Sequence, residues 1–228
     1  MSRTLRSLTT AIAAAALLGG CRSTPDSQDT ALLPTAAEAS PAETGWRGIA
    51  NEVDEAKLER LAEAWSEGLA RARRSHSRAI AAEEPLLDPD AALAHPAPSP
   101  GSYSCRVIKF GAAGRRAPAY QAFKPFFCHV GDGDAQLSIT KQTGSQRPSG
   151  YLWQAENEGH RLVFLGSLAL GGEDAPLPYG EDPARDMAGI FERVAAFRYR
   201  LVIPYPQDGA TLEVIELVPA SVQPAADR

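Results

Sequence analysis

The chain has 228 residues, of which 23 are basic and 28 acidic, and its formal net charge at pH 7 is −5. Its basic residues form neither a stripe nor an arginine cluster. Such patches are typical of proteins that bind nucleic acid or adhere electrostatically to anionic lipid, so we expect neither kind of partner contact.

The first 20 residues have the pattern of a bacterial export signal. Arg3 and Arg6 precede an uncharged apolar stretch, SLTTAIAAAALL, and two small residues, Gly19 and Gly20, follow it. The stretch is shorter than the roughly 20 apolar residues that a transmembrane helix needs. We therefore predict a signal peptide over residues 1–20 that is cleaved from the mature protein.

The four residues that end this pattern, Leu18 to Cys21, resemble the bacterial lipobox. The resemblance implies that the Cys21 thiol takes a diacylglyceryl group and that further acylation, such as palmitate, follows. Each buried methylene contributes about 0.8 kcal/mol, so several acyl chains hold a protein on a membrane. Arg22 stands where inner-membrane lipoproteins usually carry aspartate, which implies the periplasmic face of the outer membrane. A chance cysteine after an ordinary signal peptide is the alternative.

Residues 21–44 are rich in Ser, Thr, Ala and Pro and show little apolar periodicity, which predicts a flexible linker. Random-coil scaling places the following domain on the order of 25 to 30 Å from its anchor. At the other end of the chain, residues 221–228 are interpreted as a tail.

An amphipathic helix is predicted over residues 54–74, within a helical and proline-rich segment at 45–100. Apolar residues recur there at intervals of three and four: Leu58, Leu61, Ala62, Trp65, Leu69 and Ala72. Asp54 is predicted to cap the helix. The apolar face either binds a partner or packs on the chain's own domain, and the second interpretation is favoured. Pro85 and the prolines after it end the helical order.

Eight β-rich runs follow within residues 101–220: YSCRVIKF, AYQAFKPFFCHV, AQLSITKQT, PSGYLWQA, HRLVFLGSLAL, GIFERVA, FRYRLVIPY and TLEVIELV. Several alternate apolar and polar residues, as half-buried strands do. The short turns between them favour antiparallel neighbours. We therefore predict a mainly β fold with an N-terminal helix, in which an eight-stranded antiparallel meander closes into a small lipocalin-like barrel because closure removes exposed edges. A β-sandwich is the alternative.

Cys105 and Cys128 fall in the first and second predicted strands. In an oxidising periplasm a disulfide between these neighbours is the economical assignment. Closing the loop contributes roughly 3 kcal/mol in the chain-entropy model. Metal ligation is the alternative, but no CxxC spacing exists and His129 would face the opposite side of its strand.

A whole-domain resemblance rests on several segments: WRGIANEVDEAKLERLAEAW, LLDPDAAL, YSCRVIKFG, FFC, TKQTGSQRPSGYLW, RLVFLGSLALG, RDMAGIFERV, RLVIPYP and LEVIELVP. These resemble domain of unknown function 4893, a family of bacterial envelope proteins, from about Trp46 to Pro219. The resemblance implies an envelope protein. It brings no assigned activity and therefore no catalytic residue.

No catalytic motif is found in the sequence. Ser145 and Ser167 lack the GxSxG pattern, and the GDGD stretch at 131–134 is interpreted as a turn rather than a calcium or dinucleotide loop. No HExxH or other local ligand pair is formed by the histidines, which are His76, His95, His129 and His160. We predict a protein that is not an enzyme and has no cofactor and no metal.

Two polar stretches are candidate sites. Lys141–Gly150 concentrates donors that suit an anionic or carbohydrate group, but a polar turn with Arg147 paired to a carboxylate is favoured. Glu181–Gly189 is interpreted as a solvated connector or a short capped helix rather than a catalytic carboxylate pair.

The favoured functional hypothesis is a noncatalytic, lipid-anchored binding module that presents its barrel mouth to a small ligand or an envelope protein. Aromatic residues would line a pocket or fill the core: Tyr103, Phe110, Tyr120, Phe123, Phe126, Phe127, Tyr151, Trp153 and Phe164. The alternatives are a structural or assembly lipoprotein docked on an envelope complex and, less favoured, a hydrolase. An open cavity favours binding, a filled interior with an apolar surface patch favours assembly, and a nucleophile beside a histidine or carboxylate favours catalysis.

Overall fold

The computed structural model describes residues 45–111, 117–133, 136–156 and 159–220. The predicted signal peptide, Cys21, the predicted linker and the predicted tail lie outside these residues. A 3₁₀ turn at Trp46–Gly48 precedes two helices, α1 (Glu52–Glu59) and α2 (Leu61–Ala81). The strands of the described ranges are β1 (Gly101–Phe110), β2 (Tyr120–Ala122), β3 (Phe126–Asp132), β4 (Leu137–Lys141), β5 (Gln146–Gln154), β6 (Arg161–Leu170), β7 (Asp186–Ala195), β8 (Arg198–Pro204) and β9 (Leu212–Pro219).

Eight of these strands form a closed antiparallel barrel. Each strand from β3 to β8 pairs with the next in the chain, β3 also pairs with β1, and β9 pairs back with β1 along eight residues, Tyr103 to Phe110. Closure leaves none of these eight strands at an open edge. The predicted meander and barrel are thus confirmed, and the sandwich alternative is excluded.

The second predicted run forms two strands instead of one. Pro125 has no N–H to donate to a ladder, and it separates β2 from β3. Both strands pair with the same side of β1: β2 with its last three residues and β3 with Gly101 to Cys105. The short segment between β2 and β3 is therefore an interruption of one ladder along β1, where the Phe123 N–H donates to the Val107 carbonyl oxygen at 2.9 Å.

The predicted helix is longer than expected and is broken at Arg60. Its cap is Asn51 rather than Asp54, because the Asn51 side-chain oxygen accepts from the backbone N–H of Asp54 at 2.8 Å. Asp54 instead lies in the first turn, buried, with its carboxylate 2.8 Å from Lys57 Nζ. Neither described helix has the length and apolar character that spanning a membrane requires.

The apolar face of α2 packs on the outside of the barrel. Trp65, Leu69 and Ala72 are buried against a cluster that includes Phe110 of β1 and Leu212 of β9. Of the predicted face, Ala62 is exposed and Leu61 is half-buried. A second outer cluster joins Trp46 and Leu58 to Trp153, Val163, Leu165, Ala188 and Ile190 on β5 to β7. The helix face therefore contacts its own domain.

A buried arginine fixes the segment that follows α2. Arg200 of β8 has 0% exposure, and its guanidinium lies 2.6 Å from the Glu192 carboxylate. It also donates to the carbonyl oxygens of Leu86 and Asp88 at 2.8 and 2.6 Å. Since buried charges need partners, this network holds the segment between α2 and β1, residues 82–100, against the barrel.

The disulfide joins Cys105 of β1 to Cys128 of β3 inside the barrel. The two Cα atoms are 5.9 Å apart. The cysteines are diagonal neighbours on the two strands, because Cys105 lies opposite Phe126 while Cys128 lies opposite Tyr103. Both cysteines are almost fully buried. The neighbouring His129 is exposed on the outer face of β3, as strand alternation requires.

Candidate functional site

One end of the barrel holds a cavity of about 560 Å³. It lies where β1, β4, β6 and β8 end and where β3, β5, β7 and β9 begin, and it opens between the segments that connect them. Inward-facing apolar side chains form its wall: Val107, Phe126, Pro148, Leu168, Met187, Ile203 and Ile215. An eight-stranded barrel is just wide enough to be filled by side chains or to hold one small ligand.

The opposite half of the barrel interior is filled. Phe191 and Tyr199 stack with ring centroids 5.8 Å apart, and Tyr103 meets Tyr199 edge-on at 6.2 Å. These three rings form an aromatic plug. Between this plug and the cavity, the described residues leave a void of about 10 Å³. That is about the volume that holds one water molecule. A ligand would therefore enter from the open end and reach about halfway into the barrel.

A pair of glycines lies beneath the ring of Phe164, which borders the small void below the cavity. Gly150 of β5 and Gly166 of β6 lie directly opposite each other, and the Phe164 ring covers both. A Cβ atom at Gly150 would lie 2.7 Å from Phe164 Cζ, and one at Gly166 would lie 2.6 Å from it. Only residues without a side chain let the Phe164 ring lie flat against the strands.

Aromatic residues divide between the two halves and the outside of the barrel. Phe123 and Phe126 line the cavity. Tyr103 and Phe164 belong to the filled interior. The other aromatic residues predicted as pocket or core residues lie outside the barrel: Phe110, Tyr120, Phe127, Tyr151 and Trp153.

A lysine with two carboxylates lies on one side of the mouth. Lys109 Nζ is 2.8 Å from the Glu213 carboxylate and also contacts Asp208. Glu213 is 7% exposed, and burial raises the pKa of its carboxyl although Lys109 lowers it. Burial also acts to lower the pKa of Lys109, but Glu213 and Asp208 outweigh it and the pKa is raised. The Lys109 charge is thus already neutralised within the protein.

Lys141 lies on another side of the mouth in a different environment. Its ammonium is 4.3 Å from the centroid of the Phe126 ring. Burial lowers its pKa, Glu213 raises it, and the like charges of Lys109 and Arg147 lower it. In the described part of the chain no carboxylate lies within 4.0 Å of Lys141 Nζ. A partly buried ammonium with no carboxylate in contact can pair with an anion.

The lining of the cavity has a positive balance, although the whole chain has a formal charge of −5. Five of its lining residues are basic and three are acidic. The basic residues are Lys57, Lys109, Lys124, Lys141 and Arg185, and the acidic residues are Asp186, Asp208 and Glu213. A cleft lined mainly by one sign of charge attracts ligands of the opposite sign.

The stretch Lys141–Gly150 contributes to the cavity, but not through Arg147. That guanidinium donates to the carbonyl oxygens of Gly144 and Gly171 at 2.9 and 2.8 Å and to that of Glu173. The predicted pairing of Arg147 with a carboxylate is therefore wrong. The side chain instead ties the turn before β5 to the segment after β6, because neighbouring carbonyls satisfy its donors.

The stretch Glu181–Gly189 is not a solvated connector throughout, since Asp186 begins β7 and is 1% exposed. Asn51 Nδ2 lies 3.0 Å from the Asp54 carboxylate and 3.5 Å from that of Asp186. The Tyr179 hydroxyl donates to Asp54 at 2.8 Å. Burial raises the pKa of Asp186. Local sequence gives no signal for this network, because α1 and β7 are far apart in the chain.

The sequence candidates for catalysis do not meet at the cavity. Neither Ser145 nor Ser167 lines it, nor do the histidines. His76 packs on Tyr120 with ring centroids 5.4 Å apart. Within the described ranges, no three His, Cys, Asp or Glu side chains come together as a group that could hold a metal ion.

Comparison with known proteins places this architecture in one family. Residues 46–217 match the family described as Domain of unknown function (DUF4893). The match covers more than half of the chain, so the chain belongs to this family, as the quoted segments predict. It begins at the 3₁₀ turn and ends in β9, so the helices and the barrel together form the family's unit. No curated protein and no solved structure matches the chain.

Proposed function

We propose that this DUF4893 protein is a noncatalytic binding module of the bacterial envelope that takes a small, largely apolar ligand into the open end of its barrel. The observation that carries the proposal is the cavity of about 560 Å³ with an apolar wall and charged groups at its mouth. Ligand pockets are typically concave, about 300 to 1,000 Å³ in volume, and mostly apolar with a few placed polar groups.

Two observations favour binding over an assembly role. An assembly factor needs no interior space, whereas half of this barrel is open. The α2 face that would dock on a larger complex is buried against β1, β8 and β9. The most exposed of the large apolar side chains, Val53, Phe127, Tyr151 and Phe197, lie on four different parts of the fold.

The lining of the cavity also favours binding over hydrolysis. Its acidic groups Asp208 and Glu213 are paired with Lys109, and Asp186 is bonded to the backbone N–H of Gly180. The hydroxyl of Thr143 is not accompanied by a histidine among the lining residues. A nucleophile needs a base within hydrogen-bond reach, so the groups at this mouth suit recognition.

We further propose that the module is held by acyl chains on Cys21 at the periplasmic face of the outer membrane, with no nucleic-acid partner. The lipobox resemblance of residues 18–21 supports the anchor. The disulfide between Cys105 and Cys128 supports an oxidising compartment. Mass spectrometry of the N-terminal peptide from envelope fractions tests this: an acylated Cys21 is expected, and an unmodified thiol contradicts the anchor.

Native mass spectrometry of the protein purified from its own envelope tests the binding function. A retained small molecule is expected, and it should be lost in a Val107→Phe variant, whose larger side chain projects into the cavity. A matched control, Val218→Phe, changes a partly exposed residue on the outside of β9. If the Val107→Phe variant keeps the same adduct, or if neither the retained ligand nor the neutral probe N-phenyl-1-naphthylamine binds, the proposal fails.

A further inference from the structure

We propose that the ligand is an amphipathic carboxylate, such as a medium-chain fatty acid, whose head group pairs with Lys141 while its apolar body lies against the wall of the cavity. This inference rests on the proposed binding function and specifies its ligand.

Lys141 is the charge that the fold leaves for a ligand. Lys109, Lys57 and Arg185 also line the cavity, but each already lies beside a carboxylate. Lys141 has the Phe126 ring instead, and Lys124 on the rim is exposed. Taking an ammonium out of water is costly unless an anion accompanies it, so a carboxylate at Lys141 recovers part of that cost.

The position of Lys141 relative to the wall selects an amphipathic molecule. Lys141 ends β4, and its side chain borders both the main cavity and the small void beneath it. Phe126 and Pro148 border the same two spaces. A head group at Lys141 Nζ therefore has apolar surface directly beside it, and each methylene buried there strengthens binding.

The two ends of the cavity limit the rest of the ligand. The Phe191, Tyr199 and Tyr103 plug closes the lower half, which limits the length of chain that the barrel covers. At the same mouth, the Asp208 and Glu213 carboxylates pair with Lys109 and disfavour a second anionic group. A single carboxylate on a chain of medium length fits both limits.

The experiment compares decanoate, decan-1-ol and decyltrimethylammonium as competitors of N-phenyl-1-naphthylamine. The protein is residues 21–228 with Cys21→Ser, delipidated before use. Decanoate is expected to bind more tightly than the other two. Lys141→Met should weaken decanoate about tenfold or more, since bonds to charged groups contribute about 1.5 to 3 kcal/mol, and should leave decan-1-ol within about twofold. The control Arg73→Met, on the exposed side of α2 and outside the lining of the cavity, should change decanoate affinity by less than about threefold.

Three results overturn the inference or its basis, and they are distinguishable. If the probe binds but decanoate and decan-1-ol compete equally, the cavity has no carboxylate preference and the inference fails while the binding function stands. If Lys141→Met weakens all three competitors alike, Lys141 shapes the cavity rather than binding the head group, and the inference fails. If the probe itself does not bind, the proposed function fails.

Discussion

Replacement of Arg200 by methionine tests how the helical segment is held on the barrel. Methionine is long and apolar, so it fills much of the space and removes the guanidinium. The change leaves the Glu192 carboxylate, which is 1% exposed, without its closest cation. It also removes the donor to the carbonyl oxygens of Leu86 and Asp88.

The expected loss in the free energy of unfolding is about 3 kcal/mol. Removing one partner of a buried ion pair costs about 3 to 5 kcal/mol, because the other charge stays buried. A loss at the lower end of this range is expected, because Arg161 Nε still donates to the Glu192 carboxylate at 2.7 Å. The double variant Arg200→Met/Glu192→Met should recover part of the loss, because it leaves no carboxylate at this position.

Urea unfolding, analysed by linear extrapolation, measures these differences. The matched control is Arg198→Met on the same strand, whose side chain is 23% exposed and 2.6 Å from the Glu216 carboxylate. Its removal should cost clearly less than that of Arg200, because Arg198 is partly exposed and the Glu216 carboxylate keeps Arg106 at 2.6 Å. If Arg200→Met costs no more than Arg198→Met at an unchanged m value, Arg200 does not hold the segment as described.

Three other outcomes follow from the same structure. Decanoate affinity should fall as the pH rises through the pKa of Lys141, which burial places below the ordinary 10.5. Decan-1-ol affinity should stay constant over the same pH range. A constant decanoate affinity contradicts the pairing with Lys141. Gly150→Ala should lower the free energy of unfolding by about 1 to 3 kcal/mol, because the new methyl group meets Phe164 and backbone of β6; an unchanged urea midpoint contradicts this packing. Burial raises the folded-state pKa of Asp186, so its contribution to stability is fully present below pH 3.8 and is lost as the pH rises through the folded-state pKa. Asp186→Asn should remove this pH-dependent loss of stability. A variant with the same curve of stability against pH as the unchanged protein contradicts this.

The barrel could be predicted from the sequence because strand alternation and short turns are local signals. Tyr199, Leu201 and Ile203 alternate in the sequence with Arg198, Arg200 and Val202, and they belong to the interior cluster. The break at Pro125 was not predicted, because either one bent strand or two strands fit that run. The sequence does not distinguish Asp54 from Asn51 as the helix cap, because both residue types cap helices and the sequence does not show where the first turn begins.

The charged groups of the candidate site depend on contacts between distant parts of the chain. Lys109 meets Asp208 across 99 positions, so no local motif shows that its charge is neutralised. The open half of the barrel depends on how far the Phe164 ring and its neighbours fill the interior, which strand patterns do not specify. The polarity of Lys141–Gly150 suits either an anionic group or the favoured polar turn, and it does not show that Arg147 is bound to carbonyl oxygens while Lys141 lines the cavity.

Methyl NMR of the protein during titration with N-phenyl-1-naphthylamine tests the open barrel mouth most directly. Met187, Ile203 and Ile215 line the cavity, whereas Ile108 and Ile190 belong to the clusters outside the barrel. The account predicts saturable shifts at the first three methyl groups and little change at the other two. Shifts confined to the outer methyl groups, or no shift at any of the five, would contradict a binding site inside this barrel.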